Sequence, residues 1–245
     1  MQFIDTHIHL QDYKRKCATD IVAAAQAAGV EKMVCAAVRE QDWERLAGFA
    51  RDFPGKVLPA FGLHPWFVAE RKDGWEERLE TFLLRFPQAL VGEAGLDRIR
   101  DENAEPQNLI FRRHAELAVK YRRPLIVHAV RAQSWLENCW SDMPAKFVLH
   151  SYSGKKELLK QAVKRGGYIS FSPSVLKYAD CRELVGAVPA ERLLLETDGP
   201  FRGDENIASD AVPQLACRLA AMLSLEPEEF SARVYQNSLE FITPW

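Results

Sequence analysis

Short apolar runs alternate with longer amphipathic stretches along the whole 245-residue chain. Short apolar runs bounded by polar or turn-forming residues predict buried strands, and amphipathic stretches predict helices. The predicted strands are Gln2–Asp5, Lys32–Val38, Val57–Phe61, Ala89–Gly92, Pro124–Val127, Lys146–Leu149, Gly167–Phe171 and Arg192–Leu195. The predicted helices cover roughly 19–28, 40–52, 74–86, 105–122, 132–140, 154–165, 179–187, 207–223 and 226–241.

Eight strand-then-helix units over this length predict an α/β fold of the (β/α)8 TIM-barrel type, whose active site lies at the C-terminal ends of the strands. Since no low-complexity linker or composition shift interrupts the pattern, we expect residues 1–245 to form one domain. The alternative is a doubly wound open sheet, which predicts a glycine-rich phosphate turn after its first strand. The segment His7–Leu10 does not resemble such a turn.

Composition narrows the class of protein. An apolar content of 47% and a charged content of 27% indicate a soluble globular chain. The net charge of −2 gives no overall attraction to nucleic acid, so binding of a polyanion must depend on a local basic cluster or on a metal. Met1 leads almost directly into the first strand, and no apolar run approaches the ~18 residues of a membrane span. We therefore expect no signal peptide and no membrane association.

The five cysteines are odd in number, widely spaced, and include no C-x-x-C pair. This pattern argues against both a disulfide framework and a zinc ribbon. We expect reduced thiols in a cytoplasmic protein.

Five of the six histidines lie where predicted strands end. His7 and His9 are two residues apart, so on a strand their side chains leave the same face and their imidazoles can hold one cation. The alternative is a pair of ordinary strand-end histidines. The other strand ends favour the metal site, because they carry further ligand-type residues.

Those residues are Glu93 after the fourth strand, His128 after the fifth, His150 after the sixth and Asp198 after the eighth. In a barrel they would converge with the first-strand pair at one mouth. Four imidazoles and two carboxylates exceed what one tetrahedral ion uses, but they suit two divalent ions roughly 3.5–4 Å apart.

The first-strand pair would hold one ion, His128 and His150 the other, and Glu93 would bridge them. Asp198 would be both a ligand and the acceptor of a proton from the attacking water. Metal binding can lower the pKa of water from 15.7 to about 7, and the ions neutralise charge that develops on substrate oxygens. The site would therefore suit hydrolysis of an anionic substrate.

The chain resembles the TatD-like metal-dependent hydrolases, a branch of the amidohydrolase superfamily. The resembling segments occur in the family's order and span nearly the whole chain. They are Asp5–His9, Gly62–Pro65, Gly92–Asp97, Pro124–His128, His150–Gly154, Gly167–Phe171, Leu195–Pro200 and Asn237.

The resemblance implies a divalent-metal phosphodiesterase, usually described as a deoxyribonuclease, that uses Mg²⁺, Mn²⁺ or Zn²⁺. By motif it gives the same ligands as the strand ends: His7, His9, Glu93, His128, His150 and Asp198. It also implies that Asp198 is the general base and that His64 contacts a substrate phosphate without binding an ion.

The sequence departs from the family's pattern in three loops. The family usually has an arginine two residues after the fifth-strand histidine, where this chain has Val130 followed by Arg131. Either Arg131 substitutes in a shifted loop, or a phosphate contact is missing. The usual glycine after the seventh strand is replaced by Ser172–Ser174, and the family's Asn-x-Pro by Asn206–Ala208.

Other polar residues near the motifs receive structural interpretations. We expect Asp5 to be a hydrogen-bond acceptor or a structural residue of the barrel, and Glu196 to orient a ligand more than to bind an ion. Asp97 is expected to brace the loop after the fourth strand. His114 lies inside a predicted helix and is expected to be a surface or packing residue.

Several side chains could contact the substrate. The basic residues expected on the catalytic face are Arg98, Arg100, Arg131, Lys177 and Arg202. Arg98 and Arg100 directly follow the Glu93 motif and are candidate phosphate contacts, with a solvated charged loop as the alternative, and Arg131 is a further candidate. Trp66 and Phe67 could stack on a base or pack a loop.

Three functions compete. The leading hypothesis is a phosphodiesterase that acts on DNA or another phosphate ester, with no obligate protein partner. A second is an amidohydrolase-type deacylase or lactonase, since the same metal hydroxide attacks carbonyl carbon. The third, a non-catalytic binding barrel, predicts the loss of at least one ligand, and none is lost.

Overall fold

The computed structural model describes residues 1–99, 104–201 and 210–245. Within these ranges, eight parallel strands pair in the order in which they occur in the chain. The strands are β1 (Phe3–Ile8), β2 (Val30–Ala36), β3 (Val57–Phe61), β4 (Leu90–Asp97), β5 (Leu125–Val130), β6 (Phe147–Leu149), β7 (Tyr168–Phe171) and β8 (Leu193–Leu195). The predicted (β/α)8 barrel is confirmed, because a doubly wound sheet would reverse its strand order.

The α-helices lie between and after the strands. They are α1 (Ala18–Ala27), α2 (Trp43–Asp52), α3 (Trp75–Arg85), α4 (Ala104–Tyr121), α5 (Gln133–Glu137), α6 (Lys156–Lys164), α7 (Cys181–Gly186), α8 (Ala211–Leu223) and α9 (Pro227–Ile242). In the described ranges, none of these helices has the length and apolar character needed to cross a membrane. All five cysteines are free.

Hydrogen bonds between the segments after β8 and β1 close the barrel. The Asp198 N–H donates to His7 O at 2.9 Å, and the His9 N–H donates to Gly199 O at 2.8 Å. The Thr6 hydroxyl donates to Leu195 O at 3.0 Å. The first and last segments that carry predicted ligands are therefore held side by side.

Apolar side chains fill the barrel interior. The inner cluster includes Ile126 of β5, Val148 of β6 and Leu194 of β8. Because side chains two residues apart on a strand share a face, the residues two positions further along point to the same interior at the C-terminal end. Those residues are His128, His150 and Glu196.

Helix α9 covers the opposite, N-terminal end of the barrel. Phe241 and Ile242 of α9 belong to the inner cluster. The Asn237 side-chain amide donates to Ala190 O at 2.7 Å and to Leu193 O at 3.0 Å, at the start of β8. Asn237 therefore anchors α9 to the strand that carries Asp198 beyond its far end.

Three strands extend further than predicted. The predicted strands 2–5, 89–92 and 124–127 stop before their ligand-type residues, whereas β1, β4 and β5 continue to Ile8, Asp97 and Val130. The polar residues there are buried, and His128 and Asp97 remain paired through their backbones across β4 and β5. Because these residues are polar, a search for apolar runs does not assign them to a strand.

Two helices are shorter than predicted. The predicted helix 40–52 is a 3₁₀ turn followed by α2 from Trp43, because the Asp42 carboxylate accepts hydrogen bonds from the Val38 and Arg39 N–H groups. The predicted helix 132–140 is reduced to α5, and a separate 3₁₀ turn follows at Trp140–Asp142. The first residues of the predicted helix 207–223 lie outside the described ranges.

Candidate metal centre

The six side chains that the sequence predicts as ligands lie together at the C-terminal mouth of the barrel. Glu93 is at their centre. Its Oε2 lies 3.3 Å from His7 Nε2 and 3.5 Å from His9 Nε2. Its Oε1 lies 2.8 Å from His150 Nε2 and 2.9 Å from His128 Nδ1. The two carboxylate oxygens thus face two different pairs of imidazoles.

Asp198 lies beside the first of these pairs. Its Oδ1 is 3.7 Å from His9 Nε2. The residue has a φ of 53°, in the left-handed region that is uncommon for a residue with a side chain. All six side chains are buried, and the most exposed residues among them, His128 and His150, are 8% exposed.

The close approach of β4 and β5 depends on a residue without a side chain. A Cβ atom built on Gly95 would lie 2.0 Å from the carbonyl oxygen of His128. Gly95 pairs with His128 across the two strands. The glycine therefore allows the strand that carries Glu93 to lie against the strand that carries His128.

Three of the four imidazoles are oriented by an acceptor behind them. His9 Nδ1 donates to Ala36 O at 2.9 Å, and His128 Nε2 faces Asp97 Oδ2 at 3.0 Å. His150 Nδ1 faces Glu196 Oε1 at 3.4 Å. When the rear nitrogen carries the proton, the front nitrogen of a neutral imidazole presents its lone pair to the site.

The donor set fits a cation for that reason. When these histidines are neutral, their front nitrogens and the oxygens of Glu93 are all electron-pair donors, at separations of 2.8–3.5 Å. Facing donors repel one another unless a positive charge lies between them. Imidazole nitrogen and carboxylate oxygen are also the atoms that bind Zn²⁺ and Mn²⁺ in proteins.

Charges in the site stabilise one another. Burial opposes ionisation of Glu93, but the histidines around it, His150 first, hold the pKa of its carboxyl well below its usual range. Burial likewise disfavours the charged form of His150, and the carboxylates of Glu93 and Glu196 outweigh it, so the pKa of His150 is raised. The pocket thus attracts positive charge.

His64 adjoins the centre, but the nitrogen that faces the site carries the proton. Its Nδ1 accepts a hydrogen bond from the Trp66 N–H at 3.2 Å. A neutral His64 must then carry its proton on Nε2, which lies 3.4 Å from Glu93 Oε1. Nε2 therefore points into the site as a hydrogen-bond donor and has no free lone pair for an ion.

A cavity of about 1230 Å³ opens above these residues. Arg98 and Arg131, which the sequence predicts as phosphate contacts, both line it. Arg131 directly follows the last residue of β5 and has a φ of 51°. Arg131 therefore lies where the first of the two alternatives needs it, and its role as a phosphate contact stays a prediction.

The other basic residues lie at different distances from the cavity. Lys177 ends a 3₁₀ helix after β7 and does not line the cavity. Arg39 and Lys155 do line it, although sequence reasoning did not select them. Arg39 follows β2 closely, so the strand-end criterion that found the histidines would also have found it. Arg100, Arg202 and the segment 206–208 lie outside the described residues.

Asp5 and Glu196 contact backbone and neighbouring side chains. Asp5 accepts hydrogen bonds from the Thr197 hydroxyl at 2.6 Å and the Thr197 N–H at 2.9 Å. Glu196 accepts the Ser151 N–H at 2.7 Å in addition to facing His150. Both contacts correspond to the supporting positions expected from the sequence.

His114 is a packing residue and is fully buried, which excludes the surface alternative. Its Nδ1 donates to Ile110 O at 2.7 Å, and its Nε2 accepts the Leu63 N–H at 3.1 Å. Its ring stacks on Trp75 at a centroid distance of 5.0 Å. His114 therefore fixes the backbone immediately before His64.

The serines that replace the usual glycine after β7 form a chain of hydroxyl groups. Ser172 Oγ lies 3.1 Å from Ser151 Oγ and 2.7 Å from Ser174 Oγ. Ser172 is 1% exposed. The substitution is therefore accommodated by hydrogen bonding next to the segment that carries His150.

The chain matches the model of a family described as TatD related DNase over residues 4–243. It is similar to an uncharacterized metal-dependent hydrolase, YjjV, of Escherichia coli K12, with 30% identity covering 97% of this chain and 96% of that protein. The crystal structure of the TatD homologue YjjV from E. coli K12 superposes with a TM-score of 0.88 at 26% identity, covering 99% of this chain and 98% of that one. The chain is also 29% identical to a 3'-5' ssDNA/RNA exonuclease TatD of Cronobacter turicensis, over 81% of this chain and 76% of that protein.

Proposed function

This chain belongs to the TatD related DNase family, and from that premise we propose that it is a divalent-metal-dependent phosphodiesterase that acts on DNA or another phosphate ester. The relatives named above as a metal-dependent hydrolase and as an exonuclease support this proposal. We also propose that residues 1–245 form one catalytic domain, since β1 to β8 form one barrel.

The observation that carries the proposal is the position of Glu93. One of its oxygens faces His7 and His9, and the other faces His128 and His150. A carboxylate shared in this way is the expected bridge between two ions. The proposed ligands are His7, His9, Glu93, His128, His150 and Asp198. The mixed nitrogen and oxygen donors suit Mg²⁺, Mn²⁺ or Zn²⁺.

Bound ions would supply two effects, a lowered pKa of water and neutralisation of charge on the phosphate oxygens. The side chains of the site take part in the attack on phosphorus and in proton transfer. The water oxygen attacks phosphorus, Asp198 accepts the water proton, and the bond from phosphorus to the departing nucleotide oxygen breaks. That oxygen takes up a proton from solvent.

Residues around the ligands hold the phosphate. The His64 Nε2–H donates to a phosphate oxygen, a role supported by the Trp66 N–H on Nδ1, which leaves the proton of the neutral ring on Nε2. Arg98 and Arg131 place positive charge along the cavity wall, where they attract the anionic backbone of the substrate. These local charges act although the chain as a whole carries a net charge of −2.

The free cysteines bear on where the enzyme works. Cys35, Cys139 and Cys181 are buried thiols, and none of the five cysteines pairs with another. We propose a reducing compartment, the cytoplasm, because disulfides are rare there.

The test is hydrolysis by purified protein that has been stripped with a chelator and reloaded with Mg²⁺, Mn²⁺ or Zn²⁺. The substrates are an end-labelled single-stranded oligonucleotide, an aminoacyl amide and a lactone. We expect metal-dependent cleavage of the oligonucleotide. Asp198→Asn should lower kcat at least about 100-fold, as loss of a general base does.

Asp142→Asn is the matched control, because Asp142 pairs with Arg112 away from the site. It should cleave at the wild-type rate. Turnover of the amide or lactone without the oligonucleotide would contradict the proposal and favour the carbonyl-directed alternative. Equal activity of the stripped and reloaded protein would contradict the metal requirement.

A further inference from the structure

Trp66 is an aromatic side chain at the mouth of the cavity that is both exposed and fixed. The residue is 48% exposed and lines the cavity. Its ring lies edge-to-face with the His64 ring, at a centroid distance of 5.2 Å. Its indole N–H donates to Asp97 Oδ2 at 2.8 Å. An exposed tryptophan held in one orientation presents a flat apolar surface to whatever enters the cavity.

Asp97 connects this ring to the metal centre. The same Oδ2 that accepts the Trp66 indole N–H lies 3.0 Å from His128 Nε2. The other oxygen, Oδ1, accepts the Ile99 N–H at 2.8 Å. Asp97 is 2% exposed, so no bulk water competes for these bonds. One carboxylate therefore orients a proposed ligand and an aromatic ring at the cavity mouth together.

The backbone of Asp97 is clamped from the helix behind it. The Gln107 side-chain oxygen accepts the Asp97 N–H at 2.7 Å, and the Gln107 amide donates to Asp97 O at 3.0 Å. Gln107 is 1% exposed. Helix α4 thus fixes the position of the carboxylate, and a fixed acceptor holds both of its donors more firmly than a mobile one.

We propose that Trp66 is the nucleobase-stacking residue of the active site and that Asp97 is the positioning residue that couples its ring to His128. The proposal deepens the proposed function and rests on it. It names the ligand class as an unpaired nucleobase next to the reacting phosphate. A base that is still paired within a duplex stacks on its neighbours and does not offer a free face to Trp66.

The position of His64 supports this assignment. His64 contacts Trp66 and also directs Nε2 into the site, where the phosphate is proposed to bind. A phosphate at His64 therefore places the adjoining nucleotide beside the Trp66 ring. Every base has a π-face, so stacking there selects for a nucleotide without selecting its sequence.

The first experiment removes the Trp66 ring from the protein and one base from the substrate, separately and together. The substrates are a single-stranded oligonucleotide and two copies with an abasic residue, one at the 3′ end and one at the 5′ end. For the wild type we expect KM to rise about 10-fold for one of the abasic substrates, a loss of ~1.4 kcal/mol, because the stacked base is missing. For Trp66→Ala the KM values of the intact and abasic substrates should be equal.

Trp66→Phe keeps an aromatic ring without the indole N–H and should give an intermediate KM ratio. Equal KM values for intact and abasic substrates in the wild type would overturn the stacking assignment. An unchanged ratio in Trp66→Ala would overturn it too. Either result is distinct from failure of the proposed function, in which the wild type cleaves none of the oligonucleotides.

The second experiment tests Asp97 without reference to activity. Asp97→Asn replaces a carboxylate oxygen, which accepts, with an amide N–H₂ that can donate to His128 Nε2. His128 Nε2 would then accept that hydrogen bond, and the imidazole proton would lie on Nδ1. Long-range ¹H–¹⁵N NMR of the chelated protein reports that tautomer directly. We expect a change of the His128 tautomer and Mn²⁺ affinity about 10- to 100-fold lower by calorimetry.

Asp97→Glu retains an acceptor and should keep the wild-type tautomer, and Asp142→Asn should change neither quantity. Wild-type tautomer and Mn²⁺ affinity in Asp97→Asn would overturn the coupling, because a purely structural role for Asp97 would change stability alone.

Discussion

Glu93 Oε1 and His150 Nε2 lie 2.8 Å apart, although Glu93 belongs to β4 and His150 directly follows β6, and these two strands are not neighbours in the sheet. The curvature of the barrel brings these strand ends to one point, because inward-facing residues at the C-terminal ends converge there. This contact therefore links the fold to the chemistry. A metal site at this mouth requires the barrel, and the barrel alone does not require the site.

Glu93→Gln should abolish tight metal binding. The amide has one oxygen in place of two, and its N–H₂ would face imidazole lone pairs. We expect Mn²⁺ affinity to fall by more than about 100-fold, since losing even a partner behind a ligand costs 10- to 100-fold. Titration calorimetry of chelator-treated protein measures it. Glu44→Gln is the control, because exposed Glu44 pairs with Arg85 on the surface. Undiminished affinity in Glu93→Gln would contradict the bridging role.

The two imidazole pairs should hold separate ions. His9→Ala removes a donor from one pair and His128→Ala a donor from the other, so each variant should lose one equivalent of bound Mn²⁺ and keep one. The double variant should lose both. Equilibrium dialysis with metal analysis gives the stoichiometry. A wild type that binds a single equivalent, lost in either variant, would show instead that all the ligands surround one ion.

Sequence patterning was sufficient for the fold and for the six candidate ligands, because alternation of apolar runs sets strand number and strand ends set the mouth of a barrel. It was insufficient for the residues behind the ligands. Asp97 was expected only to brace a loop, and nothing in its motif shows that its Oδ2 is shared by His128 and Trp66.

Gln107 shows most clearly why the residues behind the ligands could not be predicted from the sequence. It lies in α4 and bonds the backbone of Asp97 at the end of β4. Such a contact depends on the rotation of a helix about its axis relative to a strand. Apolar periodicity determines that rotation only to within about one residue position. Lys155 was missed for a different reason, since a basic residue in a loop is usually solvated and carries no pattern of its own.

Gly95→Ala should disrupt the centre through the backbone. The added Cβ would lie 2.0 Å from His128 O, and a backbone atom cannot move aside as a flexible side chain can. We expect a loss of at least ~3 kcal/mol in unfolding free energy and weaker Mn²⁺ binding, because overpacking shifts the strand that carries His128. Urea unfolding and calorimetry measure the two effects.

Gly48→Ala is the matched control for Gly95→Ala. Gly48 lies in α2, where a Cβ would meet only the Arg51 guanidinium at 4.0 Å. Alanine is the better helix former, so this variant should be as stable as the wild type or up to ~1 kcal/mol more stable. If both glycine variants behaved alike, the close contact between β4 and β5 would not be the cause.

His114 should make the protein less stable in acid. Burial lowers the pKa of its imidazole from 6.5 to about 4, partly offset by its hydrogen bond to Ile110 O. Because the folded pKa is below the unfolded one, the unfolded chain takes up the proton first as pH falls. This residue's contribution is therefore constant above pH 6.5 and is lost between 6.5 and about 4. At ~1.4 kcal/mol per pH unit, the loss amounts to roughly 3 kcal/mol.

His114→Gln isolates that contribution, because glutamine can accept from the Leu63 N–H and donate to Ile110 O without titrating. At pH 8 the variant should be less stable than the wild type by about 1–3 kcal/mol, owing to lost stacking on Trp75 and imperfect hydrogen bonds. As pH falls towards 4 the difference should shrink, since only the wild type loses stability through this residue. Urea midpoints at pH 8 and pH 5 measure it, and other titrating groups cancel in the comparison. A difference that is the same at both pH values would mean that His114 keeps an ordinary pKa in the folded protein, and that its burial against Leu63 is looser than the 3.1 Å hydrogen bond requires.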